Sequence, residues 1–87
     1  MENLSQEQLQ EIINNIEMRK VFSSNVVAIG YNATNQILKV IFKPNSAYIY
    51  FNVGPEIWTG LNNTTSVGKL LGESVIRQKD KYKFMKL

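Results

Sequence analysis

The sequence contains no cysteine and no histidine, so a disulfide framework, a thiolate metal site and the commonest metal ligand and general base are all excluded. The seven acids are scattered and lack the loop spacing of a calcium site, and no metal or other cofactor is expected. No apolar run approaches the roughly 20 residues of a membrane span, and the N-terminus lacks the basic-then-apolar layout of a signal peptide. The expectation is a cytoplasmic protein with no membrane partner. A phosphate-cradling glycine loop, a nucleophile elbow and a zinc-protease helix motif are all missing. Ser66 and Lys69 are the one close pair of hydroxyl and amine, and Ser66 is better explained as a helix cap. No catalytic residue is therefore assigned, and the chain is not expected to be an enzyme.

What is present is enough apolar material for one core. Of the 87 residues, 44% are hydrophobic and 10% aromatic, which argues for a folded domain and against disorder. Charge is segregated along the chain. Residues 1–18 carry Glu2, Glu7, Glu11 and Glu17 with no basic residue, whereas residues 19–87 hold all ten Lys and Arg against three acids, a balance of +7. Such asymmetry bears on partners and on self-docking more than on fold.

Ser5 stands three residues before Gln8, a capping-box spacing, and Leu9, Ile12, Ile13 and Ile16 follow at helical intervals. The pattern predicts an amphipathic helix over residues 5–17, too short to stand alone in water. Its apolar stripe must dock on the chain's own sheet or on a second copy, so a homo-oligomer through Leu9, Ile12, Ile13 and Ile16 is one expectation. Residues 1–20 are assigned to this helix and residues 21–87 to the main domain.

From Val21 the period becomes that of strands. Val26–Tyr31, Ile37–Lys43 and residues 47–53 are separated by turns at Asn32-Ala33-Thr34-Asn35 and Pro44-Asn45, a meander of antiparallel neighbours. Sorting apolar side chains to one face pairs Phe42 with Ala47, Val40 with Ile49 and Leu38 with Phe51. That register sets Lys39 and Lys43 on the same face as Tyr48 and Tyr50. Short helices are expected from Pro55 and from Thr65 or Ser66 to Leu71, with Gly68 costing about 1 kcal/mol inside the second. The tail from Arg77 to Leu87, with Lys79, Lys81 and Lys83 alternating, reads as a last half-buried strand that places Tyr82 and Phe84 together. The fold class is α+β: three to four antiparallel strands with an N-terminal amphipathic helix and one or two short helices after the third strand.

The tyrosine row offers the candidate surface. Aromatic rings interleaved with cations on a sheet are a common grip on single-stranded nucleic acid, bases stacking on rings while cations take phosphates. The site expected is Tyr48, Tyr50, Lys39 and Lys43, joined by Lys69, Lys81 and Lys83. Coverage of the same face by residues 5–17 or by a second chain is the competing reading.

Ser23-Ser24-Asn25, Ile29-Gly30-Tyr31, Leu38-Lys39-Val40 with Phe42, and Tyr48-Ile49-Tyr50 fall in the order and spacing of a known module. Phe51-Asn52-Val53, Gly60-Leu61, Ser66-Val67-Gly68-Lys69 and the ending from Tyr82 to Leu87 extend the match. In these features residues 23–87 resemble the KTSC domain, seen at the C-terminus of some bacterial lysyl-tRNA synthetases and in short standalone proteins. The chain departs from the pattern at Gly54-Pro55, where Val-Pro is usual, and at Leu70-Leu71, where Tyr-Phe is usual. The acidic N-terminal helix is also additional. The resemblance implies a small domain for which RNA binding is the usual suggestion, and it names no catalytic residue. The alternative is a small interaction protein of phage or mobile-element type that oligomerises and binds a host protein or a small ligand.

Overall fold

The computed structural model describes residues 4–78 and 80–87. Lys79, part of the expected tail strand, lies outside the described residues, as do the first three of residues 1–20. In chain order the elements are α1 (Gln6–Asn15), β1 (Met18–Lys20), β2 (Val26–Asn32), β3 (Ile37–Phe42), β4 (Ser46–Tyr50), α2 (Pro55–Asn63), α3 (Val67–Leu71) and β5 (Phe84–Lys86). The five strands form one antiparallel sheet in the order β1-β2-β3-β4-β5. No helix among the described residues is long and apolar enough to cross a membrane.

The capping box closes as the sequence predicts. Ser5 Oγ accepts from the Gln8 amide at 3.1 Å while Gln8 Oε1 accepts from the Ser5 amide at 2.9 Å. Ile16 has left the helical conformation, and the chain goes directly into β1. This edge strand is absent from the sequence reading, because three residues with two exposed cations carry no alternating apolar signal.

The sheet is covered on both faces. Against one face lie α1 and its stripe: Ile13 and Ile16 are buried with Ile37 and Ile49, flanked by Leu9, Ile12, Met18 and Phe51. Of the two placements expected for this stripe, the one seen is docking on the chain's own sheet, where Ile13 and Ile16 are buried. Against the other face, α2, α3 and the tail contribute Leu61, Val67, Leu71, Val75 and Tyr82 to a larger core with Val26, Ile29, Leu38, Val40 and Tyr50. Helix α3 runs on into a π-helical turn, Gly72–Ile76.

This layering corrects the expected register by one residue. Phe42 pairs with Ser46, Val40 with Tyr48 and Leu38 with Tyr50, while Lys39 pairs with Ile49 and Ile41 with Ala47. The tyrosines therefore share a face with Leu38, Val40 and Phe42, and Lys39 lies on the opposite one. Sorting apolar rows could not select between registers, since both faces of the central strands are buried and both rows are apolar enough. The three-residue connection Lys43–Asn45 decides the pairing. A bulge between Val26 and Ala28 makes a second shift, turning Val26 to the side of Ile29 and away from Ala28 and Gly30.

Candidate nucleic-acid interface

Strand β5 completes the site. It adds beside β4, pairing Phe84 with Tyr50 and Lys86 with Tyr48, so these four side chains project from the same face of the sheet. Phe84, Tyr48, Tyr50 and Phe42 then form a continuous aromatic row across three strands. Phe84 lies 6.0 Å from Tyr50 and 6.2 Å from Tyr48 between ring centroids, and Tyr48 meets Phe42 edge-on at 5.7 Å. The row lines a groove of about 440 Å³, which Ile76 walls on the helical side and Lys43 and Ser46 border at the β3–β4 turn. No acidic side chain is among the described residues that line it. That volume falls in the range of ligand pockets, and the lining is mainly apolar with one cation.

Exposure divides the rings by role. Tyr50 is 6% exposed and belongs to the core, so it forms the floor. Tyr48 is half-buried, and Phe84 is 55% exposed. The face an incoming ring system can reach is therefore made by Tyr48 and Phe84.

Burial raises the pKa of the Tyr50 hydroxyl above the ordinary 10.0, with the neighbouring Tyr48 adding to the shift. Tyr31 is raised for the same leading reason, with a lesser contribution from Glu56. A folded state that holds phenolic protons more tightly than the unfolded chain loses stability as pH rises past the unfolded value, about 10. Urea unfolding at successive alkaline pH values should show this decline. Tyr50→Phe should make the decline shallower, whereas an unchanged slope would mean that Tyr50 titrates as if exposed.

The expected site residues separate into groups. Tyr48, Tyr50 and Lys43 line the groove. Lys39 does not: from the other face its Nζ donates at 3.3 Å to the Ile13 carbonyl, which also accepts from the Ile16 amide at 3.4 Å, near the end of α1 where a cation is favoured. Lys81 is exposed over the Tyr82 ring, with Nζ 5.4 Å from its centroid. Lys83 is exposed too, and its carbonyl accepts from the Phe51 amide. Neither lines the groove. The expected half-buried pair Tyr82 and Phe84 is split as well, since Tyr82 is buried in the core and β5 begins only at Phe84.

Lys69 borders a different depression, of about 430 Å³, between the loop Phe22–Asn25 and the start of α3. Here the helical glycine finds its reason. A Cβ on Gly68 would lie 2.6 Å from Asn25 Oδ1 and 2.8 Å from Ser23 Oγ, so any larger residue here would force these two hydrogen-bonded side chains to shift. Ser66 occupies the N-cap position of α3, yet its side chain makes no capping hydrogen bond.

Phe42, Ser46, Ile76 and Phe84 are the groove residues that the sequence reading does not assign. Phe42 and Phe84 carried a usable signal as aromatics on neighbouring strands, but the order of β4 and β5 had to be known to place them together.

The geometry defines a small α+β domain, a five-stranded antiparallel sheet between two helical layers with an aromatic groove toward one edge. The KTSC domain model matches residues 22–82, and the chain belongs to that family. The crystal structure of a KTSC domain protein from Yersinia pestis is similar with a TM-score of 0.72 and 26% sequence identity, covering 83% of this chain and 97% of that one. A protein of Tsukamurella paurometabola is 35% identical over 54 residues, which span 62% of this chain and 81% of the relative.

Proposed function

We propose that this protein binds single-stranded nucleic acid, RNA in the first place, by taking a base into the aromatic groove. The observation that carries the reading is the row Phe42, Tyr48, Tyr50 and Phe84 in one open groove with Lys43 at its border. Tyr48 and Phe84 offer ring faces for stacking, and Tyr50 closes the floor. Lys43 and the exposed Lys86, which pairs with Tyr48 on the same face, contact the flanking phosphates. The positive balance of residues 19–87 supplies the longer-range attraction. Helix α1, with its exposed Glu7 and Glu11 and with Glu17 just beyond its end, packs on the opposite face of the sheet and leaves the groove uncovered.

The test is a titration of a labelled mixed-sequence RNA over a salt series. Binding should weaken with salt, at a log–log slope of about −0.7 for each phosphate engaged. No binding at low salt would refute the reading.

A second reading, an interaction module, is favoured by the exposed apolar residues of the last strand and terminus, Phe84, Met85 and Leu87. Strand β5 is an edge with one free side, open to pairing with a strand of another chain. A protein that ignores RNA and elutes as a dimer would turn the assignment to that reading.

A further inference from the structure

The cleft beside Lys69 is chemically unlike the aromatic groove. Its lining is Ser23, Ser24, Asn25, Thr65, Ser66 and Lys69 around Gly68, with Phe22 and Val67 at its sides. Hydroxyls and amides supply donors, one ammonium supplies charge, and no acid is among the described lining residues. This is the chemistry of a phosphate contact. Ser66 Oγ, unused as a cap, is free to donate there. Phe22 at the margin is 103% exposed, a phenyl ring left unpacked by the described residues. Scattered surface apolar residues are ordinary, but a wholly solvated ring beside a cationic hydroxyl-lined cleft offers a stacking surface next to a phosphate contact.

Lys43 joins the two depressions. Its side chain lines the aromatic groove, while its Nζ donates to the Ser23 carbonyl at 2.8 Å and its amide to the Asn25 carbonyl at 2.9 Å. A strand leaving the groove past Lys43 therefore arrives at the Phe22–Asn25 loop. We propose that the Ser24/Ser66/Lys69 cleft is a second subsite, holding a phosphate of the strand whose base occupies the aromatic groove, with a neighbouring base stacked on Phe22. The inference rests on the groove reading and extends the contact from one nucleotide to a short track.

Both diagnostic side chains are exposed, so Phe22→Ala and Lys69→Gln should leave the thermal midpoint unchanged. RNA affinity of the full chain, measured by fluorescence anisotropy over a salt series, gives the test. Phe22→Ala should weaken binding about fivefold or more at fixed salt, the effect of losing one stacked base. Lys69→Gln should reduce the magnitude of the salt slope by about 0.7, one phosphate fewer. Wild-type affinity and slope in both variants, while a Tyr48/Phe84 variant loses binding, would overturn the second subsite and leave the groove standing. A wild-type protein that binds no RNA would overturn both.

Discussion

Replacing Tyr48 by leucine and Phe84 by serine together should reduce RNA affinity by roughly tenfold or more at fixed salt while leaving the salt slope close to that of the wild type. Each ring that stacks on a base is worth about 1–3 kcal/mol, and neither substitution removes a cation, so the loss belongs in the sequence-tolerant stacking component. Leucine keeps apolar bulk under the half-buried position 48, and residue 84 is already more than half exposed, so the fold should persist. Anisotropy titrations at two salt concentrations separate the two components. Undiminished affinity in the double variant would mean that RNA, if bound, is held elsewhere.

The largest effect on stability is expected at Ile49. It is fully buried where α1 meets the sheet, packed with Ile13, Ile16 and Ile37. Ile49→Ala should cost about 2–5 kcal/mol, from lost burial and from the cavity left behind. A domain of this size has on the order of 4–13 kcal/mol in total, so the loss takes a large share. For a small domain each kcal/mol moves the melting midpoint by about 4–8 °C, which places the expected fall at roughly 10 °C or more. Circular dichroism melting measures it directly. A shift of only a degree or two would show that the α1 layer contributes little and that the opposite, larger core carries the fold alone.

The two sites of prediction lie on opposite faces of β4, and that division explains what could be read in advance. The capping box at Ser5 and Gln8, the apolar stripe of α1 and the three central strands were legible because each is encoded by neighbours a few residues apart. Family membership was legible from ordered motifs spread over most of the chain. Register was not. Pattern sorting assumes one buried face and one open face, whereas helices supplied from both ends of the chain cover this sheet on both sides. Under two covers, Ile49 and Tyr50 are both buried, and their polarity no longer says which way each points. The turn at Lys43–Asn45 and the bulge at Val26 hold that information, as local backbone geometry rather than as hydropathy.

The same limit applies to the candidate site. Tyr48, Tyr50 and Lys43 were found because they lie in sequence next to one another. Phe84 arrives from more than thirty residues away, through the α2–α3 segment, and Phe22 sits in a loop whose exposure no periodicity reports. Lys39 was assigned to the site through the one-residue register difference alone, and its actual position makes it a partner for the end of a helix.

Strand β5 has three residues, all exposed, and joins the sheet by pairing with β4 alone. One wall of the aromatic groove therefore stands on a short edge element, while its floor belongs to the core. Short, solvated edges open at much lower free energy than the interior of a sheet. The groove thus sets a core-anchored ring, Tyr50, against Phe84 on the sheet's exposed edge strand. Under the proposed reading, a base that fixed this strand would have to offset its loss of freedom, a cost that would temper affinity.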